Sequence, residues 1–162
     1  MQKQNIVMQH QPISKVLCSH LDEINFVYRS LPGALERVEA ITPTKNWRTF
    51  FHRQASLLRE QQTTLRETVA AWGQRLRPCI CDDVTERLNE VRYALAARPE
   101  TPILERTVLG VLNDLRALVV KHLEDAAHLA MRIGEKDLSK GLQDLLSSER
   151  AQVIAREEPW RK

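Results

Sequence analysis

The chain has 162 residues, enough for one domain with a hydrophobic core of its own. Hydrophobic residues make up 43% and charged residues 28%, which excludes a disordered chain, and no window approaches the roughly 20 apolar residues of a membrane-spanning helix. The net charge of +3 is spread over interleaved acidic and basic residues, which argues against a nucleic-acid binder, and the aromatics that would stack single-stranded bases are scarce.

Residues 1–12 (MQKQNIVMQHQP) read as a flexible tail. They lack the apolar run of about 7 or more residues that a secretory signal needs, so a cytoplasmic location is expected. Three cysteines, Cys18, Cys79 and Cys81, form an odd set that a reducing compartment would keep as thiols. Cys79-Ile80-Cys81 has no second pair to complete a tetrahedral soft-metal site.

The first helix is expected from about Ile13 to Ile41, with Leu17, Leu21, Ile24, Leu31, Leu35 and Val38 repeating at three and four residues. Pro32-Gly33 falls inside this stripe, which predicts a kink there or a break into two helices. A second helix is expected from Asn46, as N-cap, to Arg77, where Pro78 stops it. Its stripe is Phe51, Ala55, Leu58, Leu65, Val69, Trp72 and Leu76.

A shorter helix should follow a cap at Asp82 or Asp83, with Val84, Leu88, Val91 and Leu95 on one face, and ARPETP (97–102) reads as a loop. Thr101 and Pro102 then make a cap and a proline at the first helical position of a third long helix, whose stripe is Leu112, Leu115, Val119, Ala126, Leu129 and Ile133. Gly134 supplies its left-handed stop. The last helix starts near Asp137 and carries Leu138, Leu142, Leu146 and Val153.

This pattern predicts an all-α protein, a ferritin-like four-helix bundle over 13–157 with one long crossover holding the extra short helix, and a C-terminal tail at 158–162. The short loops at 42–45 and 134–136 make two antiparallel hairpins.

Each long stripe contains a polar intruder. At about 100° per residue, Tyr28, Gln62, His122 and Glu149 fall on the inner faces of the four helices, each near the midpoint of its helix. An unpartnered buried carboxylate or imidazole costs several kcal/mol, so His122 and Glu149 are expected to meet one another or a common ligand. Two arrangements satisfy this: a hydrogen-bonded layer that sets helix register, or a metal site with His122 and Glu149 as ligands of iron or manganese.

Dinuclear sites in such bundles use a Glu on each of two helices and Glu-x-x-His on each of the other two. No Glu-x-x-His occurs here, and its nearest analogue is Asp125-Ala126-Ala127-His128. Helical phase turns Glu124 and His128 toward water, with Asp125 at the boundary. There is no glycine-rich phosphate loop, no nucleophile elbow and no cysteine-histidine pair at a recognisable spacing, so no catalytic residues and no organic cofactor are expected.

RSLPGALERV (29–38) resembles the Leu-Pro segment in the first helix of the bacterial YciE/YciF stress-induced ferritin-like proteins. CDDVTERLNEV (81–91) resembles that family's cysteine-led short helix, and LQDLLSSERA (142–151) its final helix, with Glu149 at the family's glutamate. The resemblance implies a ferritin-like bundle, a homodimer and a stress-associated role without a defined reaction. It also implies a degenerate metal site, because Ile24 stands where the first-helix Glu would fall and Gln54 and Leu57 stand near the second-helix His and Glu. A protein partner held in an apolar groove is a further expectation.

Overall fold

The computed structural model describes residues 2–98 and 100–155, with side chains over 12–98 and 100–152. The described residues form five helices, α1 (Gln2–Ile41), α2 (Lys45–Ala71), α3 (Asp82–Ala97), α4 (Thr101–Arg132) and α5 (Lys136–Ala155). Helices α1, α2, α5 and α4 form a ring in which each packs on its neighbours, and α3 lies against α4 and α1.

Within this ring adjacent helices are antiparallel throughout. Contacts run from His20–His122 to Tyr28–Glu149–Arg116 along α1 and α4, and from Gln61–Ser148 to Thr68–Gly141 along α2 and α5, with numbering that rises on one helix and falls on the other. Helices α2 and α4 therefore point the same way, and the chain must return along the bundle between them. The 16 residues of α3 span about 24 Å and make most of that return.

The core is aliphatic along its length, built from Leu17, Leu21, Ile24, Leu58, Leu65, Leu112, Leu115 and Leu142, all fully buried. At the α1–α2 turn Trp47, Phe50 and Phe51 pack ring against ring at centroid distances of 5.4–5.8 Å. The turn itself is held by Thr42, whose hydroxyl donates to the Val38 carbonyl at 2.6 Å.

The structure corrects several boundaries. Helix α1 begins at Gln2, so residues 2–12, expected as a tail, are helical, and it runs unbroken through Pro12 and Pro32. An interior proline costs about 3 kcal/mol. Around Pro32 that cost is outweighed because Tyr28, Leu31 and Leu35 stay in phase on both sides of it and are all buried.

Helix α2 ends at Ala71, six residues before Arg77. Gly73 takes φ 82°, and the amides of Gly73 and Gln74 close onto Ala70 and Val69, a Schellman stop that the periodic positions Trp72 and Leu76 concealed. Those two side chains still pack on the core from outside the helix. Gly134 ends α4 in the same way, as expected. The N-caps are Thr44, Cys81 and Glu100 rather than Asn46, the Asp82–Asp83 pair and Thr101. Val153 has its side chain, and the 158–162 tail lies whole, outside the described residues.

Helices α2 and α5 touch over Gly141, where a Cβ would stand 2.6 Å from Thr68 Cγ2. Thr68 cannot swing aside freely, because its hydroxyl is bonded to the Thr64 carbonyl at 2.8 Å.

Candidate functional site

A polar layer does cross the middle of the bundle, and its centre is Arg116 on α4. Arg116 continues the spacing Leu112, Arg116, Val119, Leu123, whose other members are fully buried, and it is itself only 1% exposed. Its Nη1 donates to Glu149 Oε2 on α5 at 2.8 Å, an ion pair in which neither side chain meets solvent. Its Nε and Nη2 both donate to Gln54 Oε1 on α2, at 3.2 and 2.7 Å, and Nη1 also reaches Gln61 Oε1 at 3.4 Å. Tyr28 on α1 donates its phenol to the other Glu149 oxygen at 3.0 Å. All four bundle helices thus contribute to one hydrogen-bonded unit.

Burial, then the nearby Glu149 charge and the hydrogen bond to it, push the Tyr28 phenol well above its ordinary range, against a smaller opposing effect of Arg116. Tyr28 is therefore a permanent donor, not a base. Gln61 extends the unit outward by donating to Ser148 Oγ at 3.4 Å. One donor, Gln54 Nε2, is buried without a partner among the described residues.

Two of the four residues expected in this layer, Tyr28 and Glu149, are in it. Gln62 is not: it is half-buried on the α1 side of α2 and donates to Asn25 Oδ1 at 3.4 Å. His122 is not either. It lies six residues, about 9 Å, along α4 from Arg116, and it contacts His20 and Glu23 of α1. Glu149 and His122 therefore belong to separate clusters and do not contact one another, the first of the two meetings expected.

The missed residues left uneven signals. Arg116 was legible, since it stands four after Leu112 and three before Val119. Gln61 was not, because Gln61 and Gln62 are equivalent between Leu58 and Leu65, at three and four residues from one and at four and three from the other. Rotation of α2 about its own axis separates them, turning Gln61 to α5 and Gln62 to α1.

In the second cluster His122 Nδ1 lies 2.8 Å from His20 Nδ1, and its Nε2 lies 2.7 Å from Glu23 Oε2. The latter is ion-pair distance without the alignment of a hydrogen bond. With its proton on Nε2, facing the carboxylate, His122 accepts at Nδ1 from His20, and a second proton on His122 removes that acceptor. Burial lowers the His122 pKa from its ordinary 6.5, with Glu23 opposing and His20 adding to the effect.

Because the unfolded chain then binds this proton more tightly than the folded one, His122 destabilises the fold as pH falls below about 6.5, and the loss levels off below the depressed folded value. Melting temperature should therefore drop between about pH 7.5 and 5.5, and His122→Gln should flatten that slope, as differential scanning calorimetry across the range would read. An unchanged slope in His122→Gln would assign the pH dependence to other groups.

Glu124 and His128 are exposed, as phase predicted, and Glu124 pairs with Arg150 at 2.5 Å. The three cysteines are free thiols. Burial first, and Asp22 second, raise the pKa of Cys18 and Cys79, which leaves both as poor nucleophiles.

The ferritin-like layout expected from the sequence would imply a metal between the helices, and the residues in the polar layer do not fit one. The layer offers one carboxylate, two amides and a phenol around a guanidinium that already neutralises the carboxylate and would repel a divalent ion. Among the described residues no group of three or more His, Cys, Asp and Glu side chains could hold a metal ion.

No family model and no curated protein sequence matches the chain. Solved structures do. The E. coli stress protein YciF superposes with a TM-score of 0.78 at 16% identity, over 88% of this chain and 90% of that one. YcfI from Rhodopseudomonas palustris, a proposed structural protein, superposes with a TM-score of 0.76 at 14% identity, over 86% of this chain and 88% of that one. Among the described residues no helix is long and apolar enough to cross a membrane. At these identities the likeness establishes architecture: the chain has the helical-bundle fold of YciF, as the resemblance read from its sequence implied.

Proposed function

We propose that this chain is a non-enzymatic, stress-associated structural protein, cytoplasmic and homodimeric, whose central layer is a protein-borne ion pair in place of a metal centre. The observation that carries this reading is Arg116, fully buried and bonded at once to Glu149, Gln54 and Gln61. A guanidinium is charged at every physiological pH and cannot be exchanged, so it supplies the counter-charge that a bound cation would bring and no redox chemistry. The stress association is supported by the likeness to YciF, and the structural role by the likeness to YcfI. Exposed Ile80 and Tyr93, 82% and 64% accessible, support an interface between copies.

The test is elemental analysis of the untagged protein after growth with added iron and manganese, with light scattering on the same sample for the dimer. The expected result is a folded dimer with less than about a tenth of a metal equivalent per chain. Near-stoichiometric iron or manganese that is lost in both His122→Ala and Glu149→Ala would overturn the reading in favour of metal binding or storage.

A further inference from the structure

Gln62, turned out of the polar layer, faces a cleft of about 670 Å³ between α1 and α2, whose end is closed by the segment after α2. That segment is anchored, since the Arg77 amide donates to Asp22 Oδ1 at 2.7 Å and the Cys79 thiol to the Asp22 carbonyl at 3.2 Å. The cleft is lined by Arg29 of α1, Arg66 of α2 and Arg75 of the segment, against a single carboxylate, Glu67. The carboxylates that pair with arginine elsewhere are spoken for: Glu36 with Arg59, Glu90 and Asp114 with Arg87, Glu124 with Arg150 and Glu149 with Arg116. The cleft therefore carries a formal charge of +2, three guanidinium groups less one carboxylate.

We propose that this cleft binds a phosphorylated organic anion, with Arg29, Arg66 and Arg75 converging on the phosphate oxygens and Leu76 against the organic part. Three planar forks drawn from three segments surround a tetrahedral oxyanion as a single lysine could not. Arg29 is held on α1 with its guanidinium 6.0 Å from the Phe26 ring centroid. The Gln62–Asn25 amide pair, joined at 3.4 Å, adds a neutral donor at the floor. The volume lies within the roughly 300–1,000 Å³ of small-molecule sites and exceeds what a bare phosphate fills, and Leu76, which packs on the core, gives it an apolar wall.

Calorimetric titration of the full chain at low ionic strength with pyrophosphate, ATP and citrate tests this. Pyrophosphate should bind saturably at one per chain, ATP at least as tightly, and citrate, which is polyanionic but carries only carboxylates, more weakly. Arg29→Gln, Arg66→Gln and Arg75→Gln should each weaken ATP binding by about 5- to 10-fold. Arg92→Gln, the same loss of charge at an exposed site on α3, should change it less than about twofold. All four arginines are exposed, so the variants should keep the helicity of the parent. Absence of saturable binding, an equal loss in Arg92→Gln, or citrate binding as tightly as ATP would each overturn the proposal.

Discussion

Arg116→Met should be the most damaging single substitution, lowering stability by about 3–5 kcal/mol because it leaves the Glu149 carboxylate buried beside Tyr28 with no cation. For a chain of this length that corresponds to a fall in melting temperature of roughly 10 °C, measurable by thermal or urea denaturation followed by circular dichroism. The energetics of the intact pair are different from the cost of breaking it. Desolvating both ions offsets most of their attraction, so Arg116→Met combined with Glu149→Leu and Tyr28→Phe should recover the greater part of the loss. A single-variant loss below about 1 kcal/mol would mean that water reaches Glu149 and that the pair is not desolvated. Because the unit touches all four bundle helices, it is also suited to fixing their register, and the triple variant should show this as a stable but less uniquely packed protein, with weakened near-ultraviolet circular dichroism.

Gly141→Ala should destabilise in the parent and stabilise in a Thr68→Ser background. Alanine is favoured over glycine in a helix interior by about 1 kcal/mol, whereas forcing an extra carbon into a filled contact costs about 1–3 kcal/mol. At 2.6 Å from Thr68 Cγ2 the new Cβ cannot be accommodated without parting α2 from α5 or breaking the 2.8 Å bond from the Thr68 hydroxyl to Thr64. The steric cost therefore wins, and a net loss of about 1 kcal/mol is expected. Serine keeps the hydroxyl and deletes the methyl, so the helix-propensity gain should then emerge with the opposite sign. Urea denaturation of the four proteins of this cycle measures the coupling directly, and a positive effect of Gly141→Ala alone would show that the helices part without cost.

Helix number, the two hairpins, the long crossover and the Gly134 stop all follow from periodicity and punctuation, because an amphipathic helix must bury its stripe whatever its neighbours are. So does the existence of a polar layer, and with it Tyr28 and Glu149, which fall inside apolar stripes and are fully buried. What periodicity cannot supply is the rotation of each helix about its own axis. Adjacent candidates differ by about 100° or less in facing, and packing against particular neighbours decides between Gln61 and Gln62. The same rotation moved His122 to the α1 boundary, where it meets His20 and Glu23.

The end of α2 shows the same division. Trp72 and Leu76 continue the apolar rhythm, so the sequence by itself extended the helix to Arg77. The left-handed Gly73 and the anchoring of Arg77 on Asp22 are tertiary choices that stop it and fold the segment back. That fold-back places Arg75 with Arg29 and Arg66 around one cleft, a grouping of residues 29, 66 and 75 that no local pattern encodes. The sequence alone determined which faces are apolar and where the two hairpins turn, because those are properties of neighbouring residues. Only the tertiary structure decided which polar side chains meet, because that depends on how four separately rotated helices are packed together.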